Sequence, residues 1–406
     1  MDIKIIHHTV DLCDAENLKN FDYNKSDMLA LGGREAGICY MAENYFSDKI
    51  NNTQMALKRS NTILGTGHHS PFDHAYIGLE ISGIPKILAM LLNSTEFYTT
   101  SEKSARYTVM KPTTDAEVEI YDKWRHIFGE KIAELDLGMT DKEIDKLALE
   151  NARYMLSVFT PTSMGFTTSF RQFSYMYYWL EELIENLEKH PNKFNSRLLP
   201  YCAELHCKLE SLTDGAIEDT KHGRFQFLPM QYGLGGVSNT EMFGDIYQTN
   251  YLGSFAQLAQ AQRHRTLHYE MEFSGDIPGE FGCYIPKIIR DTKYKSEWIE
   301  DFLRIKDQFP QCTMVKILEQ GRAYWFLMKC KERLCGRAQL EIADQTAATM
   351  QKFIDNIDNL SPAMKNDFEK CFDTKNMKPI TKCQFSEFKC KEPCRWGAKH
   401  GIDRII

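Results

Sequence analysis

Arg263-His264-Arg265 is the most concentrated group of chemistry-bearing side chains in the sequence, two guanidinium groups around one imidazole. Phe255, Leu258 and Ala259 precede it at helical spacing, which predicts a helix from near Gly253 that projects all three groups from its last turn. Guanidinium groups make bidentate, charge-assisted contacts with phosphate, so an anion is the natural target. The same triplet also suits a helix C-terminus that merely complements its own dipole. Gly67-His68-His69-Ser70-Pro71-Phe72-Asp73-His74 is a second cluster. Pro71 breaks any helical register there and no carboxylate spacing supports a metal, which leaves a turn lined by polar groups. A third group, Arg333-Leu334-Cys335-Gly336-Arg337-Ala338-Gln339-Leu340-Glu341-Ile342, offers a guanidinium able to pair with a carbonyl edge. Its Gln339 and Glu341 are compatible with an ordinary helix surface.

These stretches resemble flavin-dependent thymidylate synthases. The family signature is Arg-His-Arg, seven residues, then Ser; here eight residues separate Arg265 from Ser274. Residues 67–74 resemble the family's His-x-Ser/Thr-Pro-Phe-Glu-His stretch, with Asp73 in the place of Glu. Glu102-Lys103-Ser104-Ala105-Arg106-Tyr107 resembles the Glu-x-Ser-x-Arg-Tyr end of the same signature, although Asn93-Ser94-Thr95 stands where its Arg-His-Arg belongs. Asn151-Ala152-Arg153 resembles the Ala-Arg-x-x-Leu-Pro element, with Ser157 for Pro, and residues 333–342 resemble Arg-x-x-x-x-Ala-Gln-Trp-Glu-Ile, with Leu340 for Trp.

The resemblance implies methylation of dUMP to dTMP with methylenetetrahydrofolate as carbon donor, NADPH as reductant and FAD as cofactor. It assigns catalytic roles to Arg333, Ser104 and Glu102, with Ser104 a nucleotide ligand rather than a nucleophile. Gln260, Arg106, Arg153, Arg333 and Ser104 would bind the nucleotide. Arg263, His264, Arg265, Ser70, Asp73 and Arg171 would bind FAD. The family is a homotetramer with sites between subunits. A chain holding two copies of the fold would form the same four-unit arrangement as a homodimer. Two other readings stay open: a related flavoenzyme adding another one-carbon group to a pyrimidine nucleotide, and a non-catalytic nucleotide-binding homologue.

Two copies are what the sequence suggests. At an offset of 170, Gly83 falls on Gly253, Ala89 on Ala259, Glu102 on Glu272 and Ser104 on Ser274 without a gap. The first copy keeps Ser-x-Arg and lacks Arg-His-Arg, and the second does the reverse. The expected fold is therefore α/β (α+β), as two tandem repeats, 1–215 and 216–406, each a mixed sheet packed with helices. Gly83-Ile84-Pro85 is expected to open a helix, and Glu319-Gln320-Gly321-Arg322 to continue one. The stripe Phe173, Tyr175, Tyr177, Tyr178 and Trp179 reads as core packing.

A chain of 406 residues has room for two sizeable cores. With 43% hydrophobic and 26% charged residues it has the composition of a soluble globular protein. A net charge of -7 without a basic stripe argues against nucleic-acid binding. No apolar run reaches membrane-spanning length and no signal peptide opens the chain, so the cytoplasm is the expected location. No Gly-x-Gly-x-x-Gly follows a strand, which disfavours a Rossmann dehydrogenase. Of twelve cysteines, Cys371, Cys383, Cys390 and Cys394 gather in a Lys-rich tail from about 371, where zinc is a possible ligand despite loose spacing.

Overall fold

The computed structural model of the protein describes residues 1–10, 22–41, 47–94, 98–106, 108–217, 236–390, 394, 396 and 401–406. The chain divides into two compact units: Met1–Lys103 with Pro161–Pro229, and Ser104–Thr160 with Met230–Ile406. These spatial units do not follow the boundaries expected for the sequence repeats, 1–215 and 216–406. Residues 104–160 lie in the first repeat yet pack in the second unit.

In the first unit, strands β1 (Asp2–His8), β2 (Tyr76–Pro85), β3 (Tyr98–Glu102) and β4 (Pro161–Ser169) form an antiparallel sheet of order β1-β2-β4-β3. Helices α1 (Lys25–Tyr40), α2 (Asp48–Asn51), α3 (Thr53–Gly65) and α4 (Lys86–Leu92) belong to this unit. So do α7 (Phe170–Lys189) and α8 (Lys193–Thr213). Gly83-Ile84-Pro85 completes β2 instead of opening α4, because Ile84 and Pro85 still pair with Thr162 and Pro161. The Ser169 hydroxyl starts α7 by accepting the Gln172 N–H. Phe173, Tyr175, Tyr177 and Trp179 of the aromatic stripe are buried, as core packing requires.

In the second unit, β5 (Ile246–Ser254), β6 (His268–Glu272) and β7 (Met314–Arg322) form an antiparallel sheet of order β5-β7-β6. Its helices are α5 (Asp115–Ala133), α6 (Asp141–Ala152), α9 (Phe255–Ala261), α10 (Lys287–Arg290) and α11 (Tyr294–Ile305), followed by α12 (Ala323–Arg333), α13 (Leu340–Asp355) and α14 (Pro362–Glu369). A two-stranded ribbon, β8 (Phe372–Asp373) with β9 (Lys378–Pro379), lies in the tail. Residues 319–322 are strand, not helix: β7 alternates buried Val315 and Ile317 with half-buried neighbours, and its whole length pairs with β5. Reciprocal capping boxes start α5 at Thr114–Glu117 and α6 at Thr140–Glu143. Their apolar faces meet α11, with Trp124 set edge-on to Trp298 at 4.7 Å between ring centroids.

The two sheets repeat one plan. β2 and β5 start at 76 and 246, an offset of 170. From α6 and α11 onward the offset is 153, and it holds through the following 3-10 turns, β4 and β7, and α7 and α12. The difference falls where the first repeat has the long α5 and the second the four-residue α10. Tyr76 pairs with Ser169 and Ile246 with Arg322, the same register by these offsets. The ungapped sequence alignment does fail at the third strand. Glu102 pairs with Met164, and the counterpart of Met164, Ile317, pairs with Met271 rather than Glu272.

Candidate functional site

The second unit gathers most of the nucleotide residues named from sequence. Ser254 caps α9 through the Gln257 N–H and ends the strand, so the helix runs only to Ala261. Arg263-His264-Arg265 therefore lies in the turns beyond the helix and not in its last turn. His264 points inward and is buried, while Arg263 and Arg265 are exposed. Arg333, the last residue of α12, donates from Nε to His264 Nε2 at 2.8 Å and from Nη2 to the Gln260 carbonyl at 3.3 Å. Accepting that proton requires a neutral imidazole. Burial, with the Arg333 and Lys329 charges, pushes the His264 pKa down to about 2. His264 thus orients Arg333 from within the protein, which differs from a direct role in gripping FAD.

Beside this pair, the Gln339 Oε1 accepts from both Gln260 Nε2 and Arg153 Nη2. Gln339 and Glu341 are buried, not helix-surface residues. Glu341 accepts the Tyr154 and Ser254 hydroxyls, each at 2.6 Å, and the Ser254 N–H at 2.9 Å. Three atoms in the cluster, Gln260 Oε1, Gln339 Nε2 and Arg153 Nε, are buried with no hydrogen-bond partner among the described residues. Buried polar groups are rarely left so unless a ligand completes them.

Arg106 donates from Nε to Glu150 at 2.7 Å and from Nη2 to the Arg337 carbonyl at 2.8 Å. Glu150 was not among the expected residues. The Ser104 hydroxyl accepts the Arg106 N–H at 3.3 Å, and among the described residues no histidine or carboxylate hydrogen-bonds to it. A cavity of about 560 Å³ opens here, lined by Arg106, Lys146, Glu150 and Arg337 with Leu147 and Trp396 among its apolar walls.

Glu102, Ser70, Asp73 and Arg171 lie elsewhere, in the first unit. Glu102 is held by Lys86 at 2.6 and 2.8 Å and is nearly inaccessible, which makes it a structural carboxylate. Asp73 accepts from Arg171 Nη1 at 2.6 Å and from the Ser169 hydroxyl at 2.7 Å. Arg171 Nε reaches the Tyr175 hydroxyl at 3.4 Å, which also meets His69 Nδ1 at 2.9 Å. Ser70 is exposed at the start of the 3-10 turn Ser70–Asp73. Arg171 and Asp73 form one constellation, as the resemblance implies. Tyr107 and Thr95 lie outside the described residues.

Residues 26–179 match the family model described as thymidylate synthase complementing protein. Over these residues, fewer than half of the chain, the protein is similar to that family. The Arg-His-Arg of the second repeat and Arg333 fall outside the matched stretch. Flavin-dependent thymidylate synthase ThyX from Helicobacter pylori, solved with FAD and dUMP, is 15% identical over 52% of this chain and 99% of that one, with a TM-score of 0.27. A UMP/dUMP methylase, PolB from Streptomyces cacaoi bound with 5-Br dUMP, is 14% identical over 43% of this chain and 75% of that one, with a TM-score of 0.25. At such TM-scores neither likeness bears on the function of this chain. No curated protein matches the sequence.

The tail cysteines require a correction. Cys371 is buried beside Cys330, where burial pushes its thiol up to about 11, away from the set expected with Cys383, Cys390 and Cys394. Among the described residues, no three His, Cys, Asp or Glu side chains converge at metal-bonding range. None of the described cysteines is in a disulfide, and no described helix is long and apolar enough to cross a membrane.

Proposed function

We propose that the protein methylates C5 of dUMP, with carbon from methylenetetrahydrofolate, two electrons from NADPH and bound FAD between them. The C5 proton leaves as the new carbon arrives, so the product is dTMP. The proposal includes a cytoplasmic location and a homodimer with two nucleotide sites. The observation that carries the reading is the trio of buried atoms without partners. Gln339 Nε2 and Arg153 Nε are donors and Gln260 Oε1 is an acceptor. A uracil edge offers the complement, two carbonyls flanking one N–H. The family match over residues 26–179 supports the same substrate class.

The residues present also fit a flavin dinucleotide. Arg263 and Arg265 are exposed guanidinium groups suited to a pyrophosphate, and Arg171 with Asp73 forms an ordered polar edge. When bound, FAD supplies the hydride chemistry that the side chains lack. The protein's own part is positioning and charge stabilisation. Arg333, locked by neutral His264, has N–H groups left to stabilise negative charge on a base carbonyl. Gln260 and Arg153 orient the ring, Arg106 answers the phosphate, and Ser104 contacts the nucleotide without attacking it.

Arg106 is ion-paired to Glu150, so a bound phosphate must compete with that carboxylate. The test is tritium release from 5-tritiated dUMP with FAD, methylenetetrahydrofolate and NADPH, alongside the visible spectrum of the purified protein. Bound flavin with tritium release is expected. A colourless protein that releases none overturns the synthase reading.

A further inference from the structure

We propose that Arg404 is a positioning residue for the candidate site: it ties both ends of the turn between Arg333 and Gln339, and so fixes where those two side chains stand relative to each other. The inference rests on the reading of Arg333 and Gln339 as groups that meet the base, and it adds a residue that belongs to none of the motifs.

Helix α12 ends at Arg333 and α13 starts at Leu340, so residues 334–338 set the spacing between the two functional side chains. They belong to no helix or strand. Within them the Ala338 N–H donates to the Cys335 carbonyl at 2.9 Å, which closes a turn. Further donors come from distant residues. The Lys382 N–H reaches the Leu334 carbonyl at 2.7 Å, and Arg106 Nη2 reaches the Arg337 carbonyl at 2.8 Å. Arg404 Nη1 donates to the Cys335 carbonyl at 3.2 Å, and its Nη2 donates to the Ala338 carbonyl. Those are the first and last carbonyls of the turn, held by two nitrogens of one rigid plane. A planar guanidinium therefore sets the separation of the turn's ends, which a single-point donor cannot do.

Burial points the same way. Arg404 is only 4% exposed, and among the described residues its hydrogen bonds go to these carbonyls and to no carboxylate. Glu150 and Asp344 act on it through space. A buried guanidinium without a carboxylate in contact is costly, and what it contributes here is the shape of the turn. The tail that delivers Arg404 also crosses that turn. A Cβ on Gly336 would stand 2.8 Å from both Cys394 Sγ and Trp396 Cβ, so glycine is what lets the two segments approach so closely. Trp396 is buried in the same hydrophobic cluster as Ala152 and Tyr154, the neighbours of Arg153. The tail thus braces the turn and packs on the core that carries Arg153, whose Nη2 donates to Gln339.

The test combines hydrogen exchange with turnover in the full-length protein. In Arg404→Ala the amides of Cys335 to Gln339 should exchange about tenfold faster than in wild type while those of β5 and β7 keep their rates. This arm needs no catalysis. In the same variant kcat for dTMP should fall about 10²-fold with FAD retention unchanged. Arg404→Lys should lose as much in both, because one ammonium cannot span two fixed carbonyls. Millimolar guanidinium should restore turnover to Arg404→Ala and not to Arg404→Lys, whose side chain fills the space. The proposal is overturned by Arg404→Ala protein whose turn exchanges at the wild-type rate, or by Arg404→Lys protein with wild-type exchange and turnover. Faster exchange throughout the second unit, the mark of a general fold defect, overturns it too. Wild-type protein that makes no dTMP would defeat the catalytic reading, while the exchange arm still decides the role of Arg404.

Discussion

The interiors of the two repeated sheets differ where their scaffolds agree. In the first, Ile77, Ile81, Phe166 and Met176 are all buried and apolar. By the same offsets the second has Tyr247, Tyr251, Glu319 and Lys329. There Lys329 Nζ and Glu319 form a fully buried ion pair at 2.6 Å, and both tyrosine hydroxyls donate to Glu319 at 2.8 Å. The helices follow suit: Ile87 and Met90 of α4 become Gln257 and Gln260 of α9. The exchange also runs the other way, since Asp73 and Arg171 of the first repeat become Phe243 and Tyr324 of the second. One scaffold can therefore hold either an oily core or a charged one, and the charged core sits beneath His264 and Arg333. Lys329 contributes directly to keeping His264 neutral. A buried ion pair is weak evidence for stability, so its value here lies in holding the site.

The largest expected effect comes from breaking that core. Lys329→Met alone leaves Glu319 an unpaired buried charge and should cost about 3–5 kcal/mol in urea unfolding. Converting all four positions to their first-repeat residues (Y247I, Y251I, E319F, K329M) should recover most of the loss. An unchanged midpoint for Lys329→Met would show that the contrast between the two cores has no energetic content.

Next in size is Arg333, whose counterpart in the first repeat is Leu180. Arg333→Ala should lower dTMP formation about 10²–10³-fold, with a loss of about 1–3 kcal/mol in unfolding because buried His264 loses its donor. A loss below about tenfold would remove Arg333 from the site. Arg333→Lys should fail nearly as badly, since an ammonium lacks the fork that reaches both His264 and a carbonyl.

Arg171→Ala tests the first repeat's share. FAD retention in equilibrium dialysis should fall about tenfold while dUMP affinity stays the same. Equal losses of both ligands would contradict the division of labour between repeats.

A further effect concerns pH. His264 has its folded pKa depressed to about 2 from 6.5, so the unfolded chain binds more protons anywhere between those values. Its contribution is complete above pH 6.5 and declines as pH falls through that window. His264→Asn should flatten the acid limb of the stability profile, and identical limbs in thermal melts from pH 7 to pH 4 would refute the assignment.

Arg333, Gln260 and Arg153 are named through the family resemblance because a motif is a local pattern, and the helix that ends at Arg333 brings Gln339 within one short loop. The repeat is visible for the same reason, since Gly83 and Gly253 occupy corresponding places in β2 and β5. The ungapped alignment slips at β6 because register is set by pairing across β7, not by counting along the chain.

Residue order is enough for the inventory: two runs of strand, helix and strand, motifs that resemble one family signature divided between them, and the cations available to an anionic ligand. Tertiary structure alone decided who is inside. Gln339 meets Arg153 across 186 positions and Glu341 meets Tyr154 across 187, and no local pattern separates such residues from a solvated helix face. It likewise turned Glu102 into the partner of Lys86 and joined Glu319 to Lys329 in a dry core. Burial and desolvation are sums over contacts from distant parts of the chain, and they set which polar groups must find a partner.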